Sequence, residues 1–241
     1  MSLFLQLGVN ASTRIAGGGT PFSPSDISNL EAWYDANDVF NGSNPSDGSS
    51  VGGSGDEWAD KSGNGYDLSQ STTSTKQPTF RTNIQNGKPA IEFDGGDALT
   101  SSTSAVGQPT TWVIICDLDS GSDNIVDGPT NPQFIAESSG KYRLFAGSAA
   151  SSNISYSLSP SIIIMEFNGS SSNLRVDGSN DVNNPYSLGS NSAQNWVIGS
   201  RGDAAGNYII GYIFEIIMYN KTLTPTEISN IESYSSSKWG I

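Results

Sequence analysis

The chain has 241 residues, with 24 Asp or Glu against 11 Lys or Arg, a formal charge of −13, one Cys and no His. Without His there is no Ser-His-Asp or Cys-His relay and no His-based zinc site; a lone Cys116 closes no disulfide within the chain, and the negative charge repels nucleic-acid phosphates. No apolar run reaches the roughly 18 residues of a membrane-spanning helix, because the longest, around residues 208–219, is interrupted by Gly211 and Glu215.

In chain order, residues 1–24 stand apart. Leu3, Leu5, Leu7 and Val9 alternate with other residues as in a short strand, and Gly17-Gly18-Gly19 makes a joint before Pro21 and Pro24. The opening MSLFLQLGVNASTR has no basic n-region, so the expectation is a chain that starts at Met1 without a secretory signal. A strand on a Gly hinge needs a partner to cover its apolar face, so residues 1–24 read as an anchoring arm; a frayed terminus is the alternative. Residues 25–241 read as one domain. Ser23-Pro24-Ser25-Asp26 has the N-cap, Pro and acid of a short helical turn.

LEAWYDA at 30–36 is the first expected strand, followed by a polar loop at 37–55. Further strands are expected at 89–94, 110–118, 133–137, 141–147, 161–167, 173–177, 194–199 and 208–219. Turn chemistry at Asp127-Gly128-Pro129, Asn168-Gly169 and Asp177-Gly178 separates several of them. TWVIICDL and SIIIMEF are apolar throughout, as strands covered on both faces are. KYRLFAG instead alternates, with Tyr142, Leu144 and Ala146 on one side and Arg143 and Phe145 on the other. Thr224-Pro225-Thr226-Glu227 is a capping box that starts a helix with Ile228, Ile231 and Tyr234 on one stripe, ending near Lys238 and Gly240. The many short strands, set among 41 Ser and 27 Gly, point to an all-β sandwich.

Five segments, LEAWYDANDV, DEWADKSGNGYDLSQ with its following QPTF, NGKPAIEFDGGDALT, NLRVDGS and the closing GYIFEIIMYNKTLTPTEISNIESYSSSKWGI, together resemble the laminin-G-like, concanavalin-A-type domains of phage and bacterial surface proteins. They span about residues 27–241. The resemblance implies a two-sheet antiparallel jelly-roll sandwich with a C-terminal helix, preceded by the extended arm. It leaves function open, because this fold serves binding, catalysis and structure alike.

Some sandwich enzymes of this type carry a Glu-x-Asp-x-x-Glu strand whose paired carboxylates flank a glycosidic bond. Here Glu92-Phe93-Asp94 would share a face, but Gly95-Gly96 turns the chain before Asp97 and the last Glu is missing, so no catalytic residue is assigned. For carbohydrate binding, which uses exposed aromatic faces, the candidates are Trp58, Tyr66 and Tyr208; the alternative for Trp58 is a plug at the sandwich edge. Trp33, Trp112 and Trp196 fall within strand patterns, and Trp239 closes the helix. Calcium is the one cofactor considered, at Asp60, Asn64 and Asp94, with a second acidic run at 117–123; solvated acidic loops are the alternative. Arg201-Gly202-Asp203 spells an integrin-type tripeptide in a Gly-rich turn.

These features lead to the expectation of a non-enzymatic phage virion structural protein: a capsid decoration protein, head fibre or tail-associated adhesin. It would assemble in a host cytoplasm, sit on the virion surface, and be anchored through Leu3, Leu5, Leu7 and Val9 to capsid or tail partners and further copies of itself. Surface glycans are the other expected partner; nucleic acid and a membrane span are not expected. The alternative reading is a stand-alone carbohydrate-binding, lectin-like module. A glycoside hydrolase ranks last.

Overall fold

The computed structural model describes residues 21–119, 123–130 and 132–241. The proposed arm residues Leu3, Leu5, Leu7 and Val9 lie outside them. In order, the chain forms β1 Leu30–Asp35, β2 Thr79–Gln85, β3 Lys88–Asp94, β4 Leu99–Thr100, β5 Thr110–Leu118, β6 Asn124–Asp127, β7 Phe134–Ser138, β8 Lys141–Phe145, β9 Ala149–Ser155, β10 Ser161–Phe167, β11 Asn173–Val176, β12 Ser179–Asn180, β13 Val197–Ile198, β14 Ile210–Tyr219 and α1 Pro225–Trp239. The first expected helical turn forms as a 3-10 turn at Pro24–Asp26, capped by Ser23.

The strands make two antiparallel sheets, as expected of a sandwich. One has eight strands in the order β12-β11-β10-β5-β14-β3-β2, with β1 also on β14; the other has six, in the order β4-β13-β6-β7-β8-β9. Between them lies an aromatic core. The Trp112 and Trp196 rings meet edge-on at 5.5 Å, and Tyr66 meets Trp196 edge-on at 5.7 Å. Trp196 Nε1 donates to the Tyr34 hydroxyl, which donates to the Tyr66 carbonyl, so these rings are also satisfied as polar groups.

The outer face of the eight-stranded sheet is covered by α1, which explains the unbroken apolar runs: β5, β10 and β14 are buried along nearly their whole length. The helix starts on the capping box expected from the sequence and ends at Gly240 in the left-handed region. It crosses the sheet, held at one side by a two-pronged Arg175–Glu232 ion pair from β11. At the other side, Gln85 and Asn86 of the β2–β3 hairpin donate to the carbonyls of Trp239 and Lys238.

A bulge in β14 between Ile213 and Glu215 lets consecutive side chains reach the same helix. Phe214 stacks on Trp239 at 5.3 Å, and Glu215 Oε2 accepts from Trp239 Nε1 at 2.8 Å. Glu215 Oε1 accepts from Trp33 Nε1, the Tyr234 hydroxyl and Lys238 Nζ. Lys238 also meets Asp35, which meets Lys61, which meets Asp38. Burial raises the Glu215 carboxyl above its ordinary value, and Lys238 opposes that rise. Among the described residues, no helix is long and apolar enough to cross a membrane.

Candidate functional site

The residues singled out by the sequence do not converge on one surface. Trp58 has no solvent exposure; it bridges to Leu68 and tilts against Tyr34 at 5.9 Å, so its ring faces the core and offers nothing for a sugar to stack on. Tyr66 is half-buried against Trp196. Tyr208 belongs to another neighbourhood: its hydroxyl donates to the Ala204 carbonyl and Lys76 lies over its ring. Trp58, Tyr66 and Tyr208 therefore do not form one exposed aromatic face.

The calcium set is dispersed as well. Both Asp60 oxygens are occupied, by the Trp33 and Ser62 amides on one side and by the Ser62 hydroxyl and Tyr66 amide on the other. Asn64 donates its side-chain amide to the Glu31 carbonyl. Asp60 is fixed to Trp33, which pairs with Ile217, whereas Asp94 pairs with Ile210, roughly 20 Å away along β14 at about 3.3 Å per residue. Among the described residues no group of three or more His, Cys, Asp or Glu is arranged for a metal ion. The acidic run at 117–123 falls partly outside the described residues.

Glu92 and Asp94 do share the outer side of β3, but each is committed. Glu92 accepts from Arg81 Nε and the Tyr212 hydroxyl, and Asp94 Oδ1 accepts from Gly96 N in the turn. Gly95 sits at φ +93°, and a Cβ there would meet Ile210 at 3.1 Å, so this turn needs glycine. Asp97 folds inward beside Asp94. Burial, with the Asp94 charge adding to it, pushes the Asp97 carboxyl from 3.8 up to about 6. The folded chain thus holds a proton that the unfolded chain releases. Its stabilising effect is fully present below pH 3.8 and is lost as the pH rises through 6. Asp97→Asn, compared with wild type by urea unfolding across this range, is expected to flatten that slope, which spans on the order of 3 kcal/mol. Parallel slopes for the two proteins would refute the assignment. Arg201 and Asp203 are spent on each other in a two-pronged pair at 2.6 and 3.0 Å, which leaves the tripeptide as a self-contained turn.

The surface with the chemistry of a binding site is the outer face of the six-stranded sheet. The β7–β8 hairpin turns through Ser139 and Gly140, at φ 58° and 75°, the two-residue geometry that matches strand twist. This turn sets Ser138 opposite Lys141, so Ala136 falls opposite Arg143 and Phe134 opposite Phe145, all on one face. The Phe134 and Phe145 rings stack at 5.0 Å, 8° from parallel, and the Arg143 guanidinium lies 5.4 Å over Phe134. Among the described phenylalanines these two alone pack neither within the core nor against it. On β9, Ala149 stands opposite Phe145 and Ser151 opposite Arg143, side chains too small to cover the platform.

A polar pocket of about 230 Å³ adjoins the same end of the sheet, lined by Ala105, Thr130, Ser190, Asn191, Ser192 and Gln194. Asn191 ties it to the platform. Its backbone N–H donates to the Ala146 carbonyl, one residue beyond Phe145, and its side chain donates to the Pro132 carbonyl, two residues before Phe134. Its own carbonyl accepts from Gln108 and Gln133. Gln133 is buried and its Oε1 takes the Thr110 hydroxyl and Trp112 Nε1, so the pocket loop is anchored to the aromatic core. Gly189 lets the loop lie against β8: a Cβ there would come within 2.7 Å of the Ala146 carbonyl. The result is a stacked aromatic platform beside a rigid set of hydroxyls and amides.

No family model matches this chain, and no curated protein matches it significantly. Solved structures do. A Trypanosoma rangeli sialidase in complex with the inhibitor DANA covers 88% of this chain with a TM-score of 0.56 at 14% identity, and its complex with 2,3-difluoro-KDN covers 95% with a TM-score of 0.56 at 15% identity. An arabinofuranosidase complexed with arabinofuranosyl-alpha-1,2-xylobiose covers 73% with a TM-score of 0.53 at 14% identity. The matched region is 35–36% of those sialidase chains and 49% of the arabinofuranosidase chain. At such identity the likeness shows the fold. It also corrects the expected function: solved chains that share this sandwich include a sialidase and an arabinofuranosidase. The phage virion reading, with its capsid or tail partners and further copies, is set aside on this finding.

Proposed function

We propose that this chain is a carbohydrate-binding module, a lectin-like sandwich that holds glycans without cleaving them. The observation that carries the reading is the Phe134–Phe145 pair, turned away from the core and set beside the pocket of Thr130, Ser190, Asn191, Ser192 and Gln194. A sugar has an apolar face of C–H groups and a rim of hydroxyls. The rings suit the first, and fixed amide and hydroxyl side chains suit the second. The occurrence of the same sandwich in chains named for sialidase and arabinofuranosidase supports the reading. Binding is favoured over hydrolysis because Glu92 is tied to Arg81 and Tyr212, and Asp94 to its own turn.

Affinity electrophoresis of the intact chain through gels containing a panel of neutral and acidic polysaccharides tests this. At least one polysaccharide is expected to retard it. Unretarded migration through every gel would overturn the reading.

A further inference from the structure

We infer that the glycan bound on the Phe134–Phe145 platform carries an anionic group, a carboxylate or sulfate on the sugar, held by Arg143 with Lys141 beside it. This rests on the carbohydrate-binding reading and narrows its ligand class.

The argument is one of charge distribution. The chain has 24 acids against 11 cations, so a cation at its surface commonly finds a carboxylate. Among the described residues, Lys61, Arg81, Arg175, Arg201, Lys221 and Lys238 each meet a carboxylate at 3.3 Å or less. The platform face is different. Cross-strand partners share a face, and the pairs Phe134–Phe145, Ala136–Arg143, Ser138–Lys141, Phe145–Ala149, Arg143–Ser151 and Lys141–Ser155 include two cations and no acid.

Lys141 is held by the Asn153 carbonyl and the Ser155 hydroxyl. Arg143 is exposed, and among the described residues its guanidinium meets the Phe134 ring alone. The acids at the border are turned to other work. Asp181 takes the amides of Asn153, Ile154 and Asn183, and Glu137 takes the Gly140 amide. Arg143 therefore keeps its planar fork of donors open, at a position fixed against Phe134 and next to Phe145. That fork matches a carboxylate or sulfate with two parallel hydrogen bonds.

Two matched probe pairs test this on the intact chain by calorimetry: sialyllactose against lactose, and polygalacturonate against its methyl ester. The acidic member of a pair is expected to bind at least about tenfold more tightly, with the preference falling as salt rises. Arg143→Gln is expected to bring the acidic-to-neutral ratio near one. Lys88→Gln, which removes the same charge from the other sheet, is expected to leave the ratio unchanged. Equal affinity for both members, binding of neutral glycans alone, or a preference that survives Arg143→Gln would overturn the inference while leaving carbohydrate binding standing. Full competition by inorganic sulfate alone would also overturn it, by showing an anion site without a sugar. Failure of every glycan to bind would instead remove the carbohydrate-binding reading, and this inference with it.

Discussion

Replacing Glu215 with alanine is expected to cost about 3–5 kcal/mol of folding stability, the largest loss foreseen for a single polar side chain in this molecule. Glu215 has no solvent exposure and takes four donors: Trp33, Trp239, Tyr234 and Lys238. Removing it leaves two indole N–H groups and a hydroxyl without an acceptor, and leaves Lys238 with Asp35 and the Tyr234 hydroxyl oxygen. Each stranded buried donor carries its own desolvation cost of about 1–3 kcal/mol. Urea unfolding should show a lower midpoint at an unchanged slope. Glu215→Gln keeps an acceptor but loses the charge opposite Lys238, so its cost should fall between those of wild type and Glu215→Ala. A loss below about 1 kcal/mol for Glu215→Ala would mean that the helix is held by its apolar stripe and the Arg175–Glu232 pair instead.

Phe145→Ala should act on binding and hardly on folding. The ring stacks on Phe134 outside the core, and an exposed cross-strand pair contributes about 0.2–1 kcal/mol to stability. As the anchor of a binding face it is worth more. Loss of a central aromatic contact costs about 2 kcal/mol or more, roughly thirtyfold in Kd. The same truncation at Trp58 should do the reverse. Its ring is fully buried, so Trp58→Ala should cost about 3–5 kcal/mol of stability, and any weaker binding would follow from the damaged fold. Titration of both variants with a retained polysaccharide, alongside their melting curves, separates the two roles. Unchanged affinity in Phe145→Ala would remove the platform from the site.

Much of the fold is legible along the chain because its signals are local. TWVIICDL and SIIIMEF coincide with β5 and β10, since each is a continuous apolar run covered on both faces. The Thr224–Glu227 box starts α1 at Pro225, because a cap is satisfied within one turn. By contrast, β2 has one fully buried residue, Phe80, and β9 is built largely of Ser and Ala, so neither carries a clear alternation. Both are recruited by neighbours in the sheet.

The site was harder to read for the same reason. Trp58 lies in a polar loop and looks exposed, and its burial depends on that loop folding over Tyr34. Phe145 could be placed beside Arg143 from alternation alone. Its meeting with Phe134 required the hairpin register, and the link to Asn191 joins segments nearly 50 residues further along the chain. The signal that was present is an aromatic residue on the polar side of an alternating strand.

The most direct test is a backbone-amide NMR titration of the intact chain with whichever polysaccharide retards it. The account predicts the largest shifts on β7 and β8, at Phe134, Arg143 and Phe145, and in the loop at Ser190–Gln194. Shifts centred on the Trp58–Tyr66 loop or along α1, with the β7–β8 face unmoved, would contradict it.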